Sequence, residues 1–158
     1  MQDAQETENE RYAVQAKSRR GGQAQAHARG QAIPFSTTGA EDVAGPAELL
    51  GASLAACLLK NLERMSSLLR FEFTAAQVDV VLERQASPPR FVGARYHLTI
   101  ETEEPGRRLA LLHKNLRKFG TVVNTLGANL PIEGHLTARR ADGGLEEAPP
   151  LATVAEGA

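Results

Sequence analysis

From Leu49 to Leu59 the chain reads LLGASLAACLL, with no charge at any position and its only cysteine, Cys57, inside. Pro46 stands where a first helical position belongs and Glu48 falls in the first turn, so the segment reads as a helix running to about Leu69. A helix that is apolar all round is buried on all sides, which requires its own sheet and a second cover. In a chain of this length a dimer partner is the natural second cover, so a homodimer is expected.

The rest of the chain limits what such a helix can serve. With 158 residues the chain fits one domain with a real core. The net charge of −1 and the scattered arginines give no block of positive charge, so neither nucleic acid nor an anionic membrane is expected as a partner. Only 4% of residues are aromatic, too few for a platform on which bases stack. No apolar run is long enough to span a bilayer, and the first residues, MQDAQETENE, do not read as a signal peptide. A single cysteine forms no intrachain disulfide, which fits a cytoplasmic location. One cysteine and four separated histidines, His27, His97, His113 and His135, offer no metal-ligand spacing. The histidines read as surface or half-buried residues, and neither a metal nor a cofactor is expected.

Periodicity gives the element order. Residues 1–10 and 141–158 read as disordered tails around a folded unit of residues 11–140. Two loosely alternating runs flank Gly21-Gly22, a hairpin signal. After the central helix, Val78, Val80 and Leu82 alternate with polar residues, and so do Val92 to Ile100 beyond the Ser87-Pro88-Pro89 turn. These are two antiparallel strands with one solvated face. A second helix opens at Pro105, with Leu109, Leu112, Leu116 and Phe119 on one stripe, and Gly120 interrupts it. Thr121 can cap a short turn, Val122 to Leu126, closed by Gly127. Leu130 to Ala138 alternate as a last strand. The expected fold is α+β, ordered ββ-α-ββ-α-β, with a buried central helix.

Two stretches carry a resemblance. Gly45-Pro46-Ala47-Glu48-Leu49-Leu50-Gly51-Ala52-Ser53-Leu54-Ala55-Ala56-Cys57 resembles a pattern of Pro, an acid, two aliphatics, a small-residue run and a reactive cysteine. Val122-Val123-Asn124-Thr125-Leu126, followed by Leu130-Pro131-Ile132, resembles the segment that carries a second cysteine and the strand after it. Both patterns, in this element order and over roughly residues 11–140, resemble the family of osmotically inducible protein C and organic hydroperoxide resistance proteins (OsmC/Ohr).

The resemblance implies an intertwined homodimer and a thiol peroxidase. Cys57 would be the nucleophile that takes oxygen from a small organic hydroperoxide and becomes a sulfenic acid. An Arg from the N-terminal hairpin, Arg19 or Arg20, and an acid near the start of the cysteine helix, Glu48, would hold the thiolate. The chain departs from the family where the second cysteine belongs, because Gly120 stands there and Thr121 replaces the Pro after it. Glu48 lies nine residues before Cys57, where many members place the acid ten before it, at Ala47 here.

The residues themselves leave alternatives open. Free cysteine is among the most buried residue types, and an Ala/Leu environment favours the neutral thiol. Arg19 and Arg20 beside Gly21-Gly22 also read as a solvated turn, and Glu48 as a partner of the helix dipole. Asn124 and Thr125 read as residues that cap or bridge backbone. Two functions therefore stand. One is a one-cysteine thiol peroxidase of oxidative-stress defence, which needs an external thiol or dithiol reductant. The other is a catalytically degenerate dimer that binds a small molecule or a partner.

Overall fold

The computed structural model describes residues 9–21, 23–39 and 42–153. Its contacts divide the chain into a first unit, residues 1–48, and a second, residues 49–158.

The first unit is a three-stranded antiparallel sheet in the order β1 (Gln15–Ser18), β2 (Ala24–Ala28), β3 (Gln31–Phe35). The β1–β2 hairpin is the expected one, with Gly21 at φ +69° in its turn. Gly22, the other half of the expected turn signal, lies outside the described residues. The third strand was not expected. It turns back through Arg29 and Gly30, both at positive φ, which is the backbone of a two-residue hairpin loop. Arginine at the first of those positions hides the turn, because Asn or Asp is the usual signal there. Pro34 falls on β3, an edge strand, where a missing N–H is tolerated.

Helix α1 (Pro46–Leu69) carries the chain from the first unit into the second. The second unit holds a four-stranded sheet, β4 (Ala75–Gln85), β5 (Arg90–Glu101), β6 (Ile132–Arg139) and β7 (Leu145–Glu147), hydrogen-bonded in that order. β4 and β5 are antiparallel, as expected. Helices α2 (Gly106–Phe119) and α3 (Thr121–Gly127) make the crossover that lets β6 run parallel to β5. The fold is α+β. Strand β7 was not expected. It pairs with β6 after a turn in which Gly143 adopts φ +87°, and Ala148 beyond it is buried. The segment read as a tail from residue 141 therefore begins with a hairpin. Its strand, LEE, is too short and too exposed to announce itself by alternation.

One core joins these elements. Alternation sends Ala94, Tyr96, Leu98 and Ile100 of β5 inward, with Ile132, Leu136 and Ala138 of β6. Leu54, Leu58, Leu62 and Met65 of α1 and Leu109, Leu112 and Leu116 of α2 complete the same cluster. Each buried leucine contributes roughly 1.5–3 kcal/mol. Tyr96 pairs across the ladder with Gly134, and a Cβ on that glycine would stand only 2.3 Å from the tyrosine ring. The ring fills the space that glycine leaves.

Two burial expectations change. Phe119 is not on the buried stripe of α2 but is 43% exposed, with the Lys118 ammonium 5.1 Å from its ring. His113 is fully buried rather than half-buried. On helix α1, Ala52, Ser53, Ala56 and Leu59 are exposed in the single chain, on the side for which a second cover was expected. Their side chains are mostly too small to reach a core, so they leave a shallow uncharged stripe on the helix.

Candidate functional site

Cys57 lies near the middle of α1, between its two faces. Leu54, Leu58, Asn61 and Leu62 form the buried side, while Ser53, Ala56 and Lys60 are exposed. The thiol is free, half-buried and packed at the margin of the core cluster. It is neither sealed nor fully open. Asn61, four residues on, donates from Nδ2 to the Leu116 carbonyl at 3.1 Å and ties α1 to α2.

Glu48 has a defined partner. Its Oε2 accepts a hydrogen bond from the Gly45 backbone N–H at 2.9 Å. Gly45 precedes the first helical residue and Glu48 is the third, so this is the carboxylate half of a capping box. Nine residues of α-helix are about 13 Å and two and a half turns, which places positions 48 and 57 on opposite sides of the helix axis. The loop before the helix closes on itself, with the Ser36 N–H donating to the Ala44 carbonyl at 2.9 Å. Phe35, Thr37, Asp42, Pro46 and Glu48 are among the residues around a cavity of about 720 Å³ in this first unit.

Arg19 and Arg20 follow β1 at the hairpin turn. Both are exposed, and neither makes an ion pair with a described residue. They belong to the first unit and Cys57 to the second.

Gly120 joins α2 to α3, with ordinary extended dihedrals, φ −81° and ψ 112°. It is buried, and an added Cβ would meet Val123 Cγ2 at 3.0 Å and the Leu116 carbonyl oxygen at 3.1 Å. A cysteine at this position would need its neighbours to move. Around this junction the side chains of Asn124 and Thr125 bridge backbone as expected, Asn124 Nδ2 to the Lys118 carbonyl at 3.1 Å and Thr125 Oγ1 to the Thr121 carbonyl at 2.9 Å.

Two histidine groupings were not visible in the sequence. Tyr96 Oη and His113 Nε2 share a hydrogen bond of 2.8 Å inside the core. His113 Nδ1 is buried with no hydrogen-bond partner among the described residues. Burial lowers the His113 pKa to about 4, with Arg117 and then His135 acting in the same direction. Burial likewise pushes the Tyr96 phenol up, while Arg117, 5.9 Å from the ring, opposes it. On the outer sheet face His97 and His135 stand opposite one another, ring centroids 6.3 Å apart, with His97 Nε2 2.7 Å from Thr137 Oγ1. Strand alternation shows that both point outward. That they are neighbours follows from the parallel β5–β6 register, which no local pattern encodes. Among the described residues no group of three or more His, Cys, Asp or Glu is placed to hold a metal.

The sequence model of OsmC-like proteins matches residues 39–134, more than half of the chain and the span that contains Cys57 and Gly120. The chain belongs to the OsmC-like protein family. Solved structures agree at the level of the fold. An OsmC-like protein from Mycoplasma pneumoniae superposes with a TM-score of 0.76 at 18% identity, over 83% of this chain and 99% of that one. The organic hydroperoxide resistance protein OhrB of Bacillus subtilis gives 0.61 at 17% identity, over 80% and 97% of the two chains. A protein from Legionella pneumophila, described as an organic hydroperoxide resistance protein OsmC, gives 0.66 at 16%, over 80% and 96%. No curated protein matches. No helix among the described residues is long and apolar enough to cross a membrane.

Proposed function

We propose that this OsmC-like chain works as a homodimer in oxidative-stress defence, reducing small organic hydroperoxides through Cys57 with an external thiol. One observation carries the reading: the only cysteine lies within the family span, in the stretch that resembles the family's cysteine motif, and is half-buried rather than sealed. The hydroperoxide resistance proteins among its structural neighbours support the substrate class.

The chemistry balances with a single cysteine. The Cys57 thiolate attacks the distal oxygen of ROOH, the O–O bond breaks, and the alkoxide leaves as ROH after taking a proton. Cys57 is then a sulfenic acid. An external thiol forms a mixed disulfide with it and releases water. A second thiol equivalent frees Cys57 and leaves as the external disulfide. Arg19 or Arg20 would hold the thiolate, with the guanidinium donating to sulfur and to the leaving oxygen. Positions 48 and 57 of one copy face opposite sides of α1, so the Glu48 that would orient that guanidinium is the second copy's. A second copy of the chain is the proposed cover for the exposed Ala52–Ser53–Ala56 stripe of α1.

A second reading rests on Gly120 and Glu48. Gly120, which stands where the resemblance sets a second cysteine, is tightly packed, and Glu48 already holds the helix N-terminus. Both fit a dimer that has given up turnover and retains the fold for binding. Cumene hydroperoxide separates the two readings. The peroxidase reading expects mass gains of one and then two oxygens at Cys57, and turnover when dihydrolipoamide or a small thiol is supplied. A Cys57 that stays reduced under excess peroxide leaves the binding reading standing.

A further inference from the structure

Lys114, Arg117 and Lys118 stand three and four residues apart on α2, which places them on one helix face. With Asn124 they line a cavity of about 620 Å³ whose other walls are small and apolar, chiefly Val123, Ala128 and Leu151. That volume lies within the range of about 300–1,000 Å³ typical of small-molecule sites. No acid lines the cavity, and α2 contains no Asp or Glu. None of the three cations has an ion-pair partner among the described residues.

Such a cluster is unfavourable by itself, because like charges one turn apart repel. The dipole of α2 accounts for part of it, since Arg117 and Lys118 sit in the last turn, where cations are favoured. Lys114 lies outside that turn and gains nothing comparable. Arg117 is already positioned, donating from Nη1 to the Ile132 carbonyl at 3.2 Å with its guanidinium against the Tyr96 ring. An arginine held in this way spends little entropy in binding an anion, and its remaining donors suit a carboxylate.

We propose that this cavity binds a small amphiphilic organic anion. Its carboxylate is held by Lys114, Arg117 and Lys118, and its apolar tail lies against Val123, Ala128 and Leu151. None of the lining residues belongs to α1, so the site does not depend on Cys57 reacting.

The test is a ¹H–¹⁵N NMR titration of the full chain with decanoate below its micelle concentration, beside decanol and acetate. Decanoate is expected to give saturable shifts centred on Lys114, Val123, Ala128 and Leu151. Decanol and acetate should each bind at least about tenfold more weakly. The double variant K114Q/K118Q should lose about tenfold or more, while K114R/K118R stays within roughly threefold of the parent. Both replace exposed side chains, and the same spectra confirm that they fold. Decanol binding as tightly as decanoate would overturn the proposal in favour of apolar adsorption. Equal binding of acetate would reduce the site to a general anion patch. Shifts centred elsewhere, or none that saturate at millimolar decanoate, would also refute it.

Discussion

Helices α1 and α2 look alike from the inside and unlike from the outside. Each sends leucines into one shared core, four residues apart on α1 and three and four apart on α2, and Asn61 joins them by a hydrogen bond to the Leu116 carbonyl. On its outer side α1 shows Ala52, Ser53 and Ala56 over its first half, with no charge between Glu48 and Lys60. On its outer side α2 carries Lys114, Lys118 and the edge of Arg117. The inner stripes make the core. The outer faces differ in what they can meet. A stripe of small uncharged residues allows another backbone to approach closely, whereas a cationic face is solvated or meets an anion.

The largest expected effect tests that contrast directly. Ala56→Arg places a long cation in the middle of the α1 stripe, at an exposed position where arginine suits a helix. If a second copy covers this stripe, the variant should elute at half the parent's mass in size-exclusion chromatography with light scattering. Lys118→Glu makes a larger change of charge on α2 and should leave the mass unchanged. An Ala56→Arg protein that keeps the parent's mass, or a Lys118→Glu protein that loses it, breaks the comparison.

Much of the inner side was legible in the sequence. The Leu54–Leu58–Leu62 and Leu109–Leu112–Leu116 stripes and the inward residues of β5 and β6 follow from periods of 3.6 and 2, because each element has one core-facing side. The family was legible in the two stretches around Cys57 and after Gly120, both inside the span that the family model matches. Other features were hidden for physical reasons. Strand β7 pairs through its backbone and presents three exposed side chains, so its pattern says little. The Tyr96–His113 contact joins a strand to a helix and exists only once Gly134 makes room for the ring. The exposed Ala52–Ser53–Ala56 stripe of α1 is the side for which the sequence led us to expect a cover from a second chain.

The core behind α2 carries the next effect. Folding holds His113 neutral, with a pKa near 4 against about 6.5 in the unfolded chain. A lowered folded-state pKa means that the unfolded chain binds the proton first as pH falls. The stability is therefore complete above pH ~6.5 and is lost progressively toward pH ~4, by on the order of 3 kcal/mol. Urea unfolding across that window should show the slope, and His113→Phe should remove it. That variant leaves the Tyr96 hydroxyl without its partner, a cost that does not vary with pH between 4 and 7. A slope that persists in His113→Phe would assign the acid sensitivity to other groups and leave α2's inner side no different from that of α1.

The smallest effect concerns the start of α1, where one carboxylate has two proposed tasks. As a cap, Glu48 accepts from the Gly45 N–H, and an amide oxygen can do the same. Glu48→Gln should therefore keep the parent's urea midpoint, while Glu48→Ala should lose about 1 kcal/mol, the usual scale for a helix cap. As the residue that orients an arginine at Cys57, the carboxylate needs its charge, because a neutral amide binds a guanidinium more weakly. Glu48→Gln should then slow oxidation of Cys57 by cumene hydroperoxide without changing stability. Measuring both quantities on both variants separates the tasks. Unchanged oxidation in Glu48→Gln, with the stability loss confined to Glu48→Ala, would make Glu48 a cap alone. The holding of the Cys57 thiolate would then fall to Arg19 or Arg20 without its help.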